Sequence, residues 1–196
     1  MRLLEAARSQ IAEKGVSGLR INEITEAADV ALGSFYNHFE SKEAIVEAIV
    51  ADSLQELAET LATGALEDPA ELVSAAIRQF VGLAYDDPEF ARLVVHLDHA
   101  DALFARAVHP AARRAVDVGI ASGRFDVDNV EVAVTVILGG SLHLMRGIID
   151  GRTGAGAQDA WAELALRLMG LDPATAAEVA RRPLTPVAKR TIGLHD

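Results

Sequence analysis

Cysteine is absent from the 196-residue sequence, and the sequence contains no long apolar run that is free of charged residues. Without cysteine there is no disulfide framework, no thiolate nucleophile and no cysteine-ligated zinc or iron–sulfur site. The longest stretch without a formal charge, residues 132–145, has 14 residues, and a membrane-spanning helix needs about 18 to 20. The N-terminus reaches Glu5 almost at once and has no signal-peptide apolar block. We therefore expect a soluble, cytoplasmic protein with no membrane partner.

Positive charge is also scarce, since 18 basic residues stand against 29 acidic ones and the formal net charge is -11. A protein of this charge does not coat nucleic acid indiscriminately. Residues 1–50 carry 5 basic and 8 acidic residues, a net of -3. Any contact with a polyanion must therefore be local, and we expect a basic face formed by the cations of this segment. The four cations expected to form this face are Arg2, Arg8, Arg20 and Lys42.

Hydrophobic residues make up 51% of the chain, and most of them recur at helical spacing. The fold class predicted is all-α. Helices are expected at about 2–14, 21–28, 30–39, 41–63, 68–86 and 88–97. A seventh helix is punctuated by His109-Pro110 and by the glycines from 119 to 123, and another helix follows the glycine-rich loop 151–156 before a proline-containing tail. Residues 128–150 alternate as a strand would but also fit a helical stripe, and their length favours the helix.

Residues 20–39 have the layout of a helix-turn-helix, in which the second short helix enters the DNA major groove. The string Leu32–Glu43 then joins hydroxyls, an amide, an imidazole and a lysine around two phenylalanines. This string, with its Tyr-x-His-Phe segment and the nearby Lys42, resembles the motif of the TetR family of bacterial transcriptional regulators. The motif covers about residues 3–50, and the remainder agrees in helix number and length.

The same residues offer the chemistry that DNA contact requires. Donors at one-turn or two-residue spacing suit phosphate oxygens, and a glycine allows close approach of the helix start. Small, apolar or amide groups suit base edges. The phosphate contacts expected are Gly33, Ser34, Tyr36, His38 and Lys42, and the base contacts expected are Ala31, Leu32, Ser34 and Asn37. Phe35 and Phe39 are assigned to the core of this domain with Leu4, Ile11 and Ile24.

The sequence departs from the family pattern at three positions. Arg20 stands where a threonine commonly caps the second helix, and Asn22 is an alternative cap for a shorter helix. Asp29 stands where the turn usually has glycine, and a left-handed Asp costs about 1 kcal/mol. Ala31 replaces a common serine cap of the third helix. These changes weaken local stability and leave the fold intact.

The resemblance implies a helix-turn-helix three-helix DNA-binding domain at residues 1–45 and a larger ligand-binding and dimerisation domain at residues 46–196. It also implies a homodimer on a palindromic operator, and repression is the commoner behaviour in the family. The helices near 128–150 and 157–170 are the expected dimer helices. Gly139, Gly140 and Ser141 would let them approach closely, although a glycine tolerated at a bend or beside a pocket is a nearly equal alternative.

The family places an effector pocket in the larger domain, and apolar residues with a few polar groups suit a small, mainly hydrophobic ligand. The ligand-binding candidates are Phe80, His96, His99, Phe104, His143 and Arg146. An equally good interpretation is that the apolar members are core and the histidines lie at the surface. His96 and His99 stand at i, i+3, but no third ligand is evident, so no metal and no cofactor are predicted.

Two other classes of protein compete with this hypothesis. An enzyme is not predicted, since the sequence has no signature of a nucleophile with its general base. It also has no phosphate-binding glycine loop, because no strand precedes its glycine-rich segment. A helical small-molecule-binding or protein-interaction module without DNA binding is the alternative that the acidic balance favours. Salt-dependent binding to a palindromic duplex separates that module from a DNA-binding regulator.

Overall fold

The structure, a computed structural model, describes residues 2–62, 66–97 and 99–184, and within these ranges it contains helices and no strand. The helices are α1 (Arg2–Gly18), α2 (Ile21–Ala27), α3 (Leu32–Tyr36), α4 (Lys42–Ala62), α5 (Pro69–Asp86), α6 (Pro88–His96), α7 (Ala100–Ala121), α8 (Val130–Ile149), α9 (Ala157–Leu168) and α10 (Pro173–Ala180). The all-α prediction is confirmed, and the ambiguous segment 128–150 is helical.

The bounds of several helices follow from their capping residues. Asp68 and Asp87 accept hydrogen bonds from the first turns of α5 and α6, and each precedes a proline in the first turn. Asp172 caps α10 in the same way, with bonds from the amides of Ala174 and Thr175. The sequence analysis treated this last segment as a tail, so α10 is a helix that it missed.

Glycine and aspartate explain two departures from regular helix in the first fifty residues. Gly15 has φ 68° and interrupts α1 where the sequence predicts its end, and a short turn continues to Gly18. Asp29 has φ 52°, as expected for the turn between α2 and α3. The prediction for the third helix was too long, because α3 is limited to Leu32–Tyr36.

The described residues form two compact units, divided within α4 between Ser53 and Leu54. The first unit contains α1 to α3 and the beginning of α4. Its core includes Leu3, Ala7, Ile11, Ile24, Phe35, Ile45 and Ile49. Leu3, rather than the predicted Leu4, is buried, and Phe39 is half-buried beside Phe35. The functional division at residues 45 and 46 stays a prediction.

In the second unit, α5 packs against α7, α8 and α9. Helix α7 also packs along α8, and α10 packs against α9. Among the described residues, α8 is the one helix long and apolar enough to cross a bilayer. It is longer than the charge-free stretch on which the sequence expectation rested, because it includes Glu131 and Arg146 at its ends. One side of α8, from Val134 to Met145, is buried in this unit, which accounts for much of its apolar character.

Candidate nucleic-acid interface and apolar cavity

The segment predicted to read DNA forms a compact turn followed by the short helix α3. Asp29 adopts the left-handed conformation, and the amide of Val30 donates to the carbonyl of Thr25 at 3.0 Å. Ala31 is extended, and the amide of Ser34 donates back to its carbonyl at 2.8 Å. These bonds close the connection between α2 and α3 and give the helix-turn-helix its geometry.

Phe35 fixes the orientation of α3 because its side chain is fully buried. Its ring contacts Phe39 at a centroid distance of 5.7 Å and meets Tyr36 edge-on at 5.4 Å. The neighbouring side chains therefore face outward: Tyr36 is 53% exposed and Leu32 is 46% exposed. Leu32 and Tyr36 are thus available for contact on the outer side of α3.

All eight residues predicted to contact DNA are accessible. Ala31, Leu32, Gly33, Tyr36, Asn37 and His38 are exposed, and Ser34 and Lys42 are half-buried. The glycine is open as well, since a β-carbon at Gly33 would meet no atom within 4 Å. The candidates from Ala31 to Asn37 thus lie on α3 and its two capping positions. Their contacts with DNA stay a prediction.

The weak caps expected at α2 and α3 are present. Arg20 and Ala31 occupy the N-cap positions of these helices, and neither supplies a side-chain hydrogen bond to the first turn. The alternative cap Asn22 lies inside α2, which begins at Ile21. The hydroxyl of Thr25 instead donates to the carbonyl of Asn22 at 2.8 Å. Both short helices therefore depend on packing for their stability.

The cations of the first unit do not all contribute to one basic face. Arg8 donates to Ser53 and pairs with Asp52 at 3.2 Å, which corrects its predicted place in that face. Lys14 donates to Glu23 at 2.7 Å, and this bond raises the pKa of Lys14 and lowers the pKa of Glu23. Arg2 and Arg20 are exposed. Local positive charge for a phosphate would come from these residues and Lys42.

The N-terminus of α4 places Lys42 beside the amides of a first helical turn. Ser41 accepts a hydrogen bond from the amide of Ala44 at 3.1 Å, as predicted for an N-cap. Hydrogen bonds from its own backbone amide and from Ser41 hold the pKa of Glu43 below its usual value, so Glu43 is ionised at neutral pH. The turn therefore carries one cation and one anion, with the helix dipole favouring a phosphate.

The second unit contains an apolar cavity of about 60 Å³. Sixteen described residues of α4, α5, α7 and α8 line it, and fifteen of them are apolar. Five are alanines, namely Ala58, Ala76, Ala111, Ala112 and Ala115. The edge-to-face pair Phe80 and Phe104, with centroids 5.7 Å apart, also contributes to the wall. The only polar side chain among the described lining residues is that of Ser141.

Of the six residues predicted to bind a ligand, Phe80 and Phe104 line this cavity and the others do not. His96 is exposed and its ring Nδ1 lies 2.8 Å from the carbonyl of Arg92, while His99 and His143 are exposed. Arg146 donates to the carbonyl of Val95 and so joins α8 to α6. Within the described ranges, no group of three potential metal ligands occurs near these histidines or elsewhere.

The alanines of α7 are among the lining residues that the sequence analysis missed. Phe104, Val108, Ala111, Ala112 and Ala115 recur at three- and four-residue spacing, so they share one side of the helix. A stripe whose members change from large to small along the helix is the sequence feature that indicates a cavity here. Composition and polarity alone drew attention to the histidines instead.

Ser141 connects the cavity to α9. Its hydroxyl donates to the carbonyl of Ile137 at 2.7 Å and accepts from the indole Nε1 of Trp161 at 2.9 Å. The adjacent Gly140 makes room for that indole, because a β-carbon there would lie 2.4 Å from Trp161 Cζ2. The glycine at position 140 is therefore a close-packing residue within the unit.

The outer surface of α8 and α9 carries an apolar stripe. Val132 and Val136 on α8, together with Leu164 and Leu168 on α9, are each about half exposed. Each pair is spaced i, i+4 and so lies along one side of its helix. Gly139 and His143 continue the α8 series and are exposed. We call this set of Val132, Val136, Leu164 and Leu168 the apolar stripe.

Family comparisons match both parts of the chain. Residues 3–49 match the family described as bacterial regulatory proteins, tetR family. Residues 68–182 match the family described as tetracyclin repressor-like, C-terminal domain. The second match alone covers more than half of the sequence.

Characterised relatives are transcriptional repressors. The chain is 42% identical over 66 residues to the HTH-type transcriptional repressor DhaR of Mycobacterium sp. strain GP1, covering 34% of this chain and 33% of DhaR. It is 30% identical over 108 residues to the HTH-type transcriptional repressor KstR2 of Mycolicibacterium smegmatis, covering 52% and 49% of the two chains. The matched segments thus span about a third to a half of the length of these relatives.

Solved structures give a longer match. The crystal structure of RolR in complex with the ligand resorcinol has a TM-score of 0.80 and 30% identity, covering 95% of each chain. The regulator FadR of Bacillus subtilis, crystallised with stearoyl-CoA, has a TM-score of 0.61 at 18% identity over 86% of this chain and 98% of that one, which shows a shared fold. The helix-turn-helix, the two family matches and the RolR similarity agree: the chain belongs to the TetR family of bacterial transcriptional regulators.

Proposed function

We propose that this protein is a ligand-responsive transcriptional repressor that binds a palindromic operator as a homodimer and acts by binding rather than by catalysis. The observation that carries the DNA-binding part is the outward face of α3, where the buried Phe35 leaves Leu32 and Tyr36 about half exposed. The similarity to the repressors DhaR and KstR2 supports repression rather than activation. Its expected place of action is the cytoplasm.

The contacts proposed fall into two classes. Tyr36, His38 and Lys42, with Gly33 and Ser34, position the protein on phosphates, and such contacts set affinity and salt dependence. Ala31, Leu32, Ser34 and Asn37 face base edges, where an amide pairs with adenine and apolar groups meet the thymine methyl. Because the first fifty residues are net acidic, few phosphates contribute and the salt dependence is shallow.

Selection of bound duplexes from a random pool identifies the operator, and salt titration then tests the phosphate contact. We expect Lys42→Ala to weaken binding to all sequences and to reduce the slope of log affinity against log salt by about 1. Arg152→Ala is the matched control, because Arg152 pairs with Asp150 in the second unit. No enriched palindrome, or an unchanged slope in Lys42→Ala, would contradict the proposal.

An operator with two-fold symmetry needs two copies of α3 about 34 to 36 Å apart, so the protein must dimerise. We propose that the apolar stripe forms the dimer interface. Exposed apolar residues on two helices that contact each other suit a bundle with a second copy. We expect Val136→Asp to convert the dimer to monomer in sedimentation experiments and to abolish operator binding. Val118→Asp, at a 59% exposed valine of α7 outside the stripe, should remain dimeric. The same oligomeric state for both variants would refute the stripe as the dimer interface.

The apolar cavity is the proposed effector site. RolR was crystallised with resorcinol, a single-ring compound, and this chain is proposed to bind a small, mainly hydrophobic effector. Helix α4 begins at Lys42 and continues to Ala58 in the cavity wall, so a ligand-dependent shift of α4 is the proposed mechanism. Operator affinity unchanged by a saturating cavity ligand would refute the switch.

A further inference from the structure

The cavity of the second unit has a wall that restricts the chemistry of its ligand. Charged side chains are absent from its described lining, and Ser141 supplies the single hydroxyl among fifteen apolar residues. An ionised ligand group buried there would have no counter-charge, and an unpaired polar group would lose its hydrogen bonds to water. This composition excludes carboxylates and phosphates from the enclosed part of the site.

Ser141 has little hydrogen-bonding capacity left. Its proton is used by the carbonyl of Ile137, and one of its lone pairs accepts the indole N–H of Trp161. A hydroxyl oxygen has two lone pairs, so Ser141 can accept one further hydrogen bond and donate none. A ligand can therefore satisfy one donor group at Ser141, and a second hydroxyl finds no polar side chain among the described lining residues.

The size of the cavity sets a second condition. Its volume is about 60 Å³, whereas an apolar cavity of about 150 Å³ holds benzene. A ring enters only if the wall moves outward. Since Ala111, Ala112 and Ala115 of α7 and Ala76 of α5 leave small side chains on facing helices, a ring would lie between them and spread α5 from α7.

From these observations we propose that the cavity selects uncharged single-ring aromatic compounds carrying at most one hydrogen-bond donor, which donates to Ser141 Oγ. Ring binding is coupled to separation of the alanine-lined walls of α5 and α7. This inference rests on the proposed effector role of the cavity, and it specifies the ligand class that the wall accepts and the residue that recognises its polar group.

The test uses the purified full-length protein without DNA and four probes of similar size and graded polarity, namely toluene, phenol, resorcinol and benzoate. Titration calorimetry gives the affinities. Emission of Trp161, the single tryptophan of the chain, reports binding next to Ser141. We expect toluene and phenol to bind, resorcinol to bind at least tenfold more weakly than phenol, and benzoate to give no measurable binding at neutral pH.

Three variants locate the binding. Ala115→Leu fills the cavity and should weaken toluene at least tenfold, whereas the matched control Ala102→Leu, at an exposed position of α7, should leave it unchanged. Ser141→Ala should weaken phenol at least fivefold relative to toluene, because the ratio cancels any general loss of stability. Circular dichroism confirms that each variant is folded; an Ala115→Leu protein that does not fold is replaced by Ala112→Val.

Several outcomes would overturn the proposal. They are tighter binding of benzoate or resorcinol than of phenol, no binding of any probe, equal loss in both leucine variants, or a phenol-to-toluene ratio that Ser141→Ala leaves unchanged. These measurements are made without DNA, so their failure would leave the proposed DNA binding and dimerisation untouched. Probes that bind as expected but leave operator affinity unchanged would refute the switch and retain the ligand class.

Discussion

Substitution of Gly140 by alanine tests whether this glycine is required for packing of α8 against α9. A β-carbon there would lie 2.4 and 2.6 Å from Trp161 Cζ2 and Cη2, which is far inside normal contact. The indole must move, and its hydrogen bond to Ser141 at 2.9 Å is lost. Overpacking costs about 1 to 3 kcal/mol, and the lost hydrogen bond costs about 1 kcal/mol.

Alanine also favours a helix interior over glycine by about 1 kcal/mol. The gain offsets the lost hydrogen bond, so Gly140→Ala should lower the free energy of unfolding by about 1 to 3 kcal/mol in total. Urea denaturation followed by circular dichroism measures this change. The near-ultraviolet signal of Trp161, the single tryptophan, should change in the native state as well.

Gly82→Ala is the matched control. Gly82 is buried within α5, and the nearest atom to a β-carbon there is Asp86 Oδ2 at 3.8 Å, an ordinary contact. This substitution keeps the helix-propensity gain and has no overpacking, so it should stabilise the protein by about 0.5 to 1 kcal/mol. The two alanine variants should therefore differ in sign. A Gly140→Ala protein as stable as Gly82→Ala would refute the packing argument.

Two further predictions concern single side chains. Burial tends to raise the pKa of Asp68, but hydrogen bonds from Arg124 and from the amide of Ala70 lower it below its usual value. Asp68→Asn, which keeps an N-cap, should thus cost roughly 1 kcal/mol at pH 7, and the deficit should shrink as the pH falls through the lowered pKa; a deficit equal at pH 7 and pH 3 would contradict this. Asp29→Gly should raise the free energy of unfolding by about 0.5 to 1 kcal/mol, because glycine adopts φ 52° freely, and a lower melting temperature would contradict it.

The DNA-binding part of the fold was largely readable from the sequence because its signals are local. The helix-turn-helix depends on residues close together in the chain, such as Phe35 and Phe39, and the N-cap at Ser41 follows from a single hydroxyl. Length alone settled the helical state of α8. The bounds of α3 were less predictable, since its ends have no side-chain cap.

The cavity was less predictable because it depends on how four helices cross. The sequence analysis identified Phe80 and Phe104 by their bulk, but it could not show that α7 presents alanines to the same space. Histidines attracted attention for their chemistry, although His96 and His143 are exposed. Whether a polar residue faces a cavity or solvent depends on helix rotation, which amino-acid type does not specify.

The acidic character of the DNA-binding unit has a consequence for how a regulator of this kind finds its target. A genome offers about a million to a billion competing sites, and attraction to the phosphate rail is what holds a protein on them. In this unit Arg8 pairs with Asp52 and Lys14 pairs with Glu23. We therefore expect its non-specific binding to unrelated duplex DNA to be weak. With the base contacts proposed for α3, discrimination between sites would then come from those few groups.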